Sequence, residues 1–129
     1  MARILLIDDE DTIRATLRKV LETAGHEVLE AANGEQALRL EEAGPVDLVV
    51  TDIIMPQMDG FGSIHLLRKR DPELAILAVT GGTADYLQAA KEHGASEVLQ
   101  KPFDNQTLLK TVSRLLNAGY GTQSSRNMR

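Results

Sequence analysis

Five side chains in this sequence are of types that, once brought together, would support phosphoryl chemistry: Asp8, Asp9, Asp52, Thr80 and Lys101. Each sits at the end of a short apolar run. Asp8 and Asp9 follow RILLI, with Glu10 and Asp11 next; Asp52 follows VDLVVT; Thr80 closes AILAVT ahead of Gly81 and Gly82; Lys101 and Pro102 follow SEVLQ. Three carboxylates in one partly dry pocket repel strongly and cannot all stay ionised without compensation. A divalent cation would provide it. Oxygen ligands with no His or Cys nearby in sequence favour magnesium over zinc, and magnesium held by one or two carboxylates keeps waters that exchange for phosphate oxygens. Lys101 adds a point positive charge and Thr80 a hydroxyl donor, the parts that charge neutralisation and positioning in phosphoryl transfer require. Asp52 stands alone at the end of the central run. It is the candidate nucleophile, since a carboxylate can itself form an aspartyl phosphate.

These residues meet only if the fold gathers the ends of the apolar runs. Runs of strand length span residues 3–7, 26–31, 46–51, 75–80 and 96–100, and five segments of helical character lie between and after them. The first helix carries Ile13, Leu17, Val20 and Leu21 on one face, with Gly25 placed to cap it; the last repeats the pattern with Leu108, Leu109, Val112, Leu115 and Leu116. Gly44 with Pro45, Asp71 with Pro72, and Gly94 mark other helix ends. Such a (βα)5 chain places helices on both faces of a parallel sheet, giving a three-layer α/β/α sandwich. The first, third and fourth strands are nearly continuous apolar runs, whereas HEVLEA and SEVLQ alternate, which puts the second and fifth at the edges. The doubly wound, flavodoxin-like order 2-1-3-4-5 satisfies this, and ligands in such sheets bind beyond the carboxyl ends of the strands. Strands one, three, four and five are then consecutive neighbours, so their ends converge on one pocket.

Composition bounds the rest. A chain of 129 residues with 43% hydrophobic content is one domain, predicted over residues 1–117, and AGYGTQSSRNMR over 118–129 reads as a flexible tail. With 14 basic against 19 acidic residues, the net charge of −5 argues against direct nucleic-acid binding. The absence of cysteine excludes disulfides, thiolate zinc sites and thiol catalysis. MARILLIDDEDT is too quickly acidic for a signal peptide, and no apolar run is long enough for membrane insertion, so a cytoplasmic location is expected.

IDD at the first strand end, TDIIMPQMDG around the third, Thr80 at the fourth and KPF after the fifth together resemble the receiver domain of two-component response regulators, over residues 3 to 117. The resemblance implies that Asp52 accepts a phosphoryl group from a phosphohistidine on a sensor histidine kinase or a histidine phosphotransfer protein. It implies that Asp9 and Asp52 ligate Mg2+ directly (Mn2+ as a substitute), that Asp8 acts mainly through water, and that the Ile54 carbonyl completes the protein ligands. Thr80 and Lys101 would contact the phosphoryl oxygens, and the Lys101–Pro102 bond would be cis. A signalling phosphoacceptor that catalyses its own phosphorylation and dephosphorylation is implied, not a dedicated enzyme. Its output face would be the fourth helix, fifth strand and fifth helix, read by a downstream protein partner or a phosphate relay. Two positions depart from the pattern. Relatives often carry Tyr or Phe three residues before the lysine, as a switch moving with the threonine; here that switch position is Val98, and Tyr86, in the fourth helix just past Gly81-Gly82, is the nearby ring nominated in its place, with a plain packing or surface role expected for it. Ile54 offers no polar side-chain group to orient an attacking water, so a long-lived aspartyl phosphate is expected.

Other readings fit less well. An aspartate-nucleophile phosphatase of the haloacid-dehalogenase type needs D-x-D-x-[TV] after its first strand, which DDEDTI misses. A flavodoxin-like cofactor binder would not have an acidic pocket without G-x-G-x-x-G. A pseudo-receiver that is never phosphorylated would not need the intact constellation. Plainer roles are expected for Asp59-Gly60 as a turn, Met55-Pro56 as a loop shaper, Asp11 or Thr12 as a helix cap, and Arg68-Lys69-Arg70 as complements to a helix dipole. His26, His65 and His93 are expected at the surface or as caps.

Overall fold

The computed structural model describes residues 2–55, 58–82 and 84–118, with the backbone alone for 54, 55 and 58–60. Strands β1 (Arg3–Ile7), β2 (Glu27–Ala31), β3 (Leu48–Asp52), β4 (Ala75–Thr80) and β5 (Glu97–Gln100) alternate with helices α1 (Asp11–Thr23), α2 (Gly34–Ala43), α3 (Gly60–Arg70), α4 (Ala84–His93) and α5 (Asn105–Asn117). The five strands form one parallel sheet in the order β2-β1-β3-β4-β5, which bears out the flavodoxin-like prediction. Every residue of β3 and β4 is buried, as are four of the five in β1, while the edge strands β2 and β5 are only partly covered.

Alternation along the strands divides the core in two. Leu5, Ile7, Val49, Ile76 and Ala78 face a layer containing Ala37 of α2, Ile64 and Leu67 of α3, and Ala90 of α4. Ile4, Leu6, Leu48, Val50, Leu77 and Val79 face the opposite layer, with Leu17 and Leu21 of α1 and Leu108, Val112 and Leu115 of α5. Each fully buried Leu or Ile here contributes roughly 2 kcal/mol by leaving water. A one-residue register slip would send both sets to the wrong face.

Helix ends follow the local chemistry. α1 and α4 both close in Schellman motifs: Gly25 (φ +97) and Gly94 (φ +122) take the left-handed position. His26 N–H then donates to Leu21 O at 3.2 Å, and Ala95 N–H to Ala90 O at 2.9 Å. Asn33 caps α2 by accepting from Gln36 N–H at 2.9 Å, and Asp104 caps α5 by accepting from Thr107 N–H at 2.7 Å. Neither Asp11 nor Thr12 caps α1. The helix already begins at Asp11, and Glu10 holds the cap position without a side-chain bond.

Several strand boundaries differ from the sequence expectation. β3 starts at Leu48 instead of Val46, because Asp47 spends both its N–H and its carboxylate on the Arg3 backbone at 2.8 Å each. It also runs one residue further, so that Asp52 pairs in register with Val79. Asp59-Gly60 is not a turn. Ile54–Met55 and Met58–Asp59 pair antiparallel as a two-residue ladder, and Gly60 opens α3. A pair that short leaves no periodicity to read. Pro56 and the expected tail from 119 onward lie outside the described residues. No helix among the described residues is long and apolar enough to cross a membrane.

Candidate functional site

The carboxyl edge of β1, β3, β4 and β5 brings together the ends of the four runs. Asp52 is the last residue of β3 and is 5% exposed. Its Oδ2 accepts a hydrogen bond from Lys101 Nζ at 2.8 Å. Lys101 follows β5, two strands away, so its side chain crosses the end of β4 to reach Asp52. The Lys101 N–H donates to Thr80 O at 2.8 Å, which fixes where that reach begins. The Lys101–Pro102 bond is cis. A lysine at this depth paired to a buried carboxylate is not a solvated surface residue.

Asp8 lies just beyond β1 and is 1% exposed. One oxygen, Oδ1, accepts from Glu10 N–H at 2.9 Å. The other, Oδ2, is buried and has no hydrogen-bond partner among the described residues. Burial pushes the Asp8 carboxyl above its ordinary range; the Glu10 N–H opposes this, the charge of Asp52 adds to it, Lys101 counters, and Asp9 adds a smaller push. Asp9 itself is half-buried. Thr80 is fully buried, and its Oγ1 accepts from Gly82 N–H at 3.0 Å in the turn that leads to α4.

Asp8, Asp52, Thr80 and Lys101 thus share one edge of the sheet. They do not make a preformed carboxylate cage: among the described residues, no three acidic or imidazole side chains are gathered closely enough to enclose a metal ion. The donors present do suit magnesium, which needs only one or two carboxylates and keeps water for its remaining positions. The unpartnered Oδ2 of Asp8 is the atom that asks most for a cation, since a buried, unsatisfied carboxylate oxygen is costly. Ile54 comes two residues after Asp52 and pairs through its backbone with Asp59, so its carbonyl lies just beyond this edge in the chain.

The model for the response regulator receiver domain matches residues 4–113. The chain belongs to this family. It is 39% identical over 119 residues to protein PilH of Pseudomonas aeruginosa, covering 90% of this chain and 98% of PilH. It is 37% identical to the DNA-binding transcriptional regulator NtrC of Azospirillum brasilense, where the match covers 91% of this chain but 24% of the relative. Among solved structures, the chemotaxis protein CheY4 of Vibrio cholerae superposes with a TM-score of 0.84 at 36% identity, covering 89% of this chain and 98% of that one. A response regulator receiver domain of two-component signalling is therefore the frame in which the remaining residues are placed.

In this receiver domain, Val98 is half-buried and packs on the layer that holds α2, α3 and α4. Tyr86 is 42% exposed; its ring stacks on Phe61 of α3, with centroids 6.0 Å apart and planes 8° from parallel. Phe61 also lies 5.1 Å from the His93 ring. His26 is half-buried, its Nδ1 accepting from Ala2 N–H at 3.2 Å, while His65 is exposed and the Nδ1 of His93 sits 2.8 Å from Ala89 O in the last turn of α4.

Three residues with substantial roles, Arg68 in the fold's framework and Gln100 and Arg14 beside the site, were not visible as such in the sequence. Arg68 does more than complement a helix dipole: it donates to Gly94 O at 2.9 Å, Pro72 O at 2.8 Å and Ser96 Oγ at 3.2 Å, tying the end of α3 to the turn before β5. Gln100 donates from Nε2 to Gly82 O at 3.1 Å, linking β5 to the turn beside Thr80. Arg14 donates to the Asp8 carbonyl. Only Arg14 had a local signal, the i, i+3 spacing from Asp11.

Proposed function

We propose that this receiver domain is a phosphoacceptor in which Asp52 takes a phosphoryl group from a phosphohistidine of a sensor histidine kinase or a histidine phosphotransfer protein. The reading is carried by the pairing of Lys101 Nζ with Asp52 Oδ2 across the end of β4. That contact leaves one carboxylate at the sheet edge with a fixed direction and a counter-charge beside it. An Asp52 carboxylate oxygen attacks phosphorus as the P–N bond to the donor imidazole breaks, and the bonding pair leaves with the nitrogen. Lys101 stays within reach of the oxygen charge that passes from carboxylate to phosphoryl group, and the Thr80 hydroxyl can donate to a phosphoryl oxygen while accepting from Gly82. Asp8, Asp9, Asp52 and the Ile54 carbonyl would hold Mg2+, or Mn2+ in its place. That cation supplies charge neutralisation for a phosphoryl group approaching three carboxylates.

The domain in this reading is a signalling switch acting in the cytoplasm and not a dedicated enzyme. A new dianionic group at Asp52 biases the turns after β3 and β4, with Thr80 and Val98 at the moving end and the α4-β5-α5 face as output. Beryllofluoride or acetyl phosphate with Mg2+ tests it: amide resonances around 52, 80 and 101 should shift in the parent and stay still in Asp52→Ala. If neither reagent perturbs the parent, or the variant responds equally, the phosphoacceptor reading fails.

A further inference from the structure

Arg14 lies on the first turn and a half of α1, behind the acidic loop, with its side chain only 14% exposed. Its guanidinium serves three different elements at once. Nη1 donates to the Asp8 carbonyl at 2.5 Å, Nη2 to Asp11 Oδ1 at 2.6 Å, and Nε to Glu30 Oε1 on β2 at 2.9 Å. The Asp8 carbonyl belongs to the peptide that joins Asp8 to Asp9, so the tilt of that plane sets the direction from which the Asp9 side chain leaves the chain. On its other side, Asp8 is held by its own N–H, which donates to Ala31 O at 3.1 Å. Glu30 is itself fixed by Arg18, whose Nε also binds Glu22 at 2.9 Å.

We propose that Arg14 is a positioning residue for the cation-binding loop: by clamping the Asp8 carbonyl to the edge strand through Glu30, it fixes the Asp8–Asp9 peptide and so the relative aim of the two carboxylates. This rests on the phosphoacceptor reading with its Mg2+ site. A planar fork is needed because the three acceptors are met by three separate nitrogens, Nε, Nη1 and Nη2, a spread that the three donors on one ammonium nitrogen cannot span. The clamp predicts a sign opposite to that of plain electrostatics. A positive charge behind an acidic loop weakens cation binding by Coulomb repulsion, so removing it should tighten Mg2+ binding; removing the clamp should weaken it.

The test is a Mg2+ titration of the unphosphorylated full chain, followed by amide chemical shifts. Arg14→Lys keeps the charge and loses the fork, and its Mg2+ dissociation constant should rise about tenfold, the usual scale for losing a residue that orients a metal ligand. Arg39→Lys, an exposed residue that pairs with Glu35 on α2, makes the same change of side chain away from the clamp and should match the parent. Arg14→Gln should also bind more weakly, despite its lost positive charge; should it not fold, the two lysine variants decide alone. Arg14→Lys binding as tightly as the parent, or Arg14→Gln binding more tightly, overturns the proposal. If the parent itself shows no saturable Mg2+ response, the cation site fails together with the clamp; if the parent binds and Arg14→Lys is unchanged, the clamp alone fails.

Discussion

Replacing Asp8 with Asn should make the cation-free protein more stable, which is the reverse of what most substitutions at a buried position do. Asp8 is 1% exposed, with one oxygen satisfied by Glu10 N–H and the other without a partner. An unsatisfied buried polar group costs about 1–3 kcal/mol, and more when it is charged. Asn keeps the oxygen that accepts from Glu10 and puts a neutral, still unpartnered NH2 where Oδ2 was, so what it removes is the charge that burial, Asp52 and Asp9 all disfavour, while losing the attraction to Lys101. The balance favours Asn by about 1 kcal/mol, or about 3 °C in Tm for a domain of this size. Mg2+ should reverse the order. A ligand at ten times its Kd stabilises the native state by about 1.4 kcal/mol, and Asp8→Asn should forfeit most of that. Thermal unfolding of both proteins in EDTA and in Mg2+ is the assay. A lower Tm for Asp8→Asn in EDTA, or equal stabilisation of both by Mg2+, would refute the inference that Asp8 is held under strain for a cation.

Three further outcomes are expected. Glu30→Gln removes the negative charge and one of the two acceptor oxygens that Arg18 and Arg14 share, the two guanidiniums that hold the Glu30 carboxyl below its usual range. A lowered folded pKa means the contribution is present above the unfolded value and is lost as pH falls through the folded one. The parent's advantage of about 1 kcal/mol at pH 7 should therefore close on acidification below about pH 4, in denaturant titrations across that range. Gly94→Ala should destabilise more than Gly25→Ala: both positions have positive φ, but an added Cβ at 94 would meet Arg68 Cγ at 3.0 Å, whereas none lies within 4 Å at 25. Gly25→Ala should cost about 1 kcal/mol and Gly94→Ala more, with equal losses refuting the contact. The aspartyl phosphate should be long-lived because Ile54 cannot orient water, and a lifetime of a few seconds in saturating Mg2+ would count against this.

The fold was legible because its main determinants are periodic. Continuous apolar runs in β1, β3 and β4 and alternating ones in β2 and β5 reported how many faces each strand buries, and that alone selected the strand order. That Asp8, Asp52, Thr80 and Lys101 share one edge was legible because each closes or directly follows such a run. What stayed hidden was non-local or too short. Arg68 reads as a helix-end cation, since Gly94 and Ser96, its acceptors, are 26 and 28 residues away. The ladder of 54–55 with 58–59 is below the length at which alternation means anything. Asp52 was placed beyond β3 because a carboxylate ends an apolar pattern, although its backbone can continue the ladder with Val79.

The position three residues before Lys101 shows how far composition can be pushed toward mechanism. Val98 has no ring to swing, and it packs on the core layer, so in the proposed switch the polar contacts between Thr80 and β5 are the place to look for added coupling. Gly82 joins two of them: its N–H donates to Thr80 Oγ1 at 3.0 Å and its carbonyl accepts from Gln100 Nε2 at 3.1 Å. A side-chain amide bond on an exposed residue contributes about 1 kcal/mol or less. In the proposed switch, a phosphoryl group that draws the Thr80 hydroxyl toward Asp52 would disturb the Gly82 contact first, while the Thr80 backbone stays tied to β5 by the Lys101 N–H, and the change would reach the fifth strand through Gln100. Gln100→Leu would keep the bulk and remove the donor. The expected result is an unchanged fold whose β5 amides no longer follow beryllofluoride addition while those at Thr80 still do; β5 amides that respond as in the parent would send the coupling elsewhere.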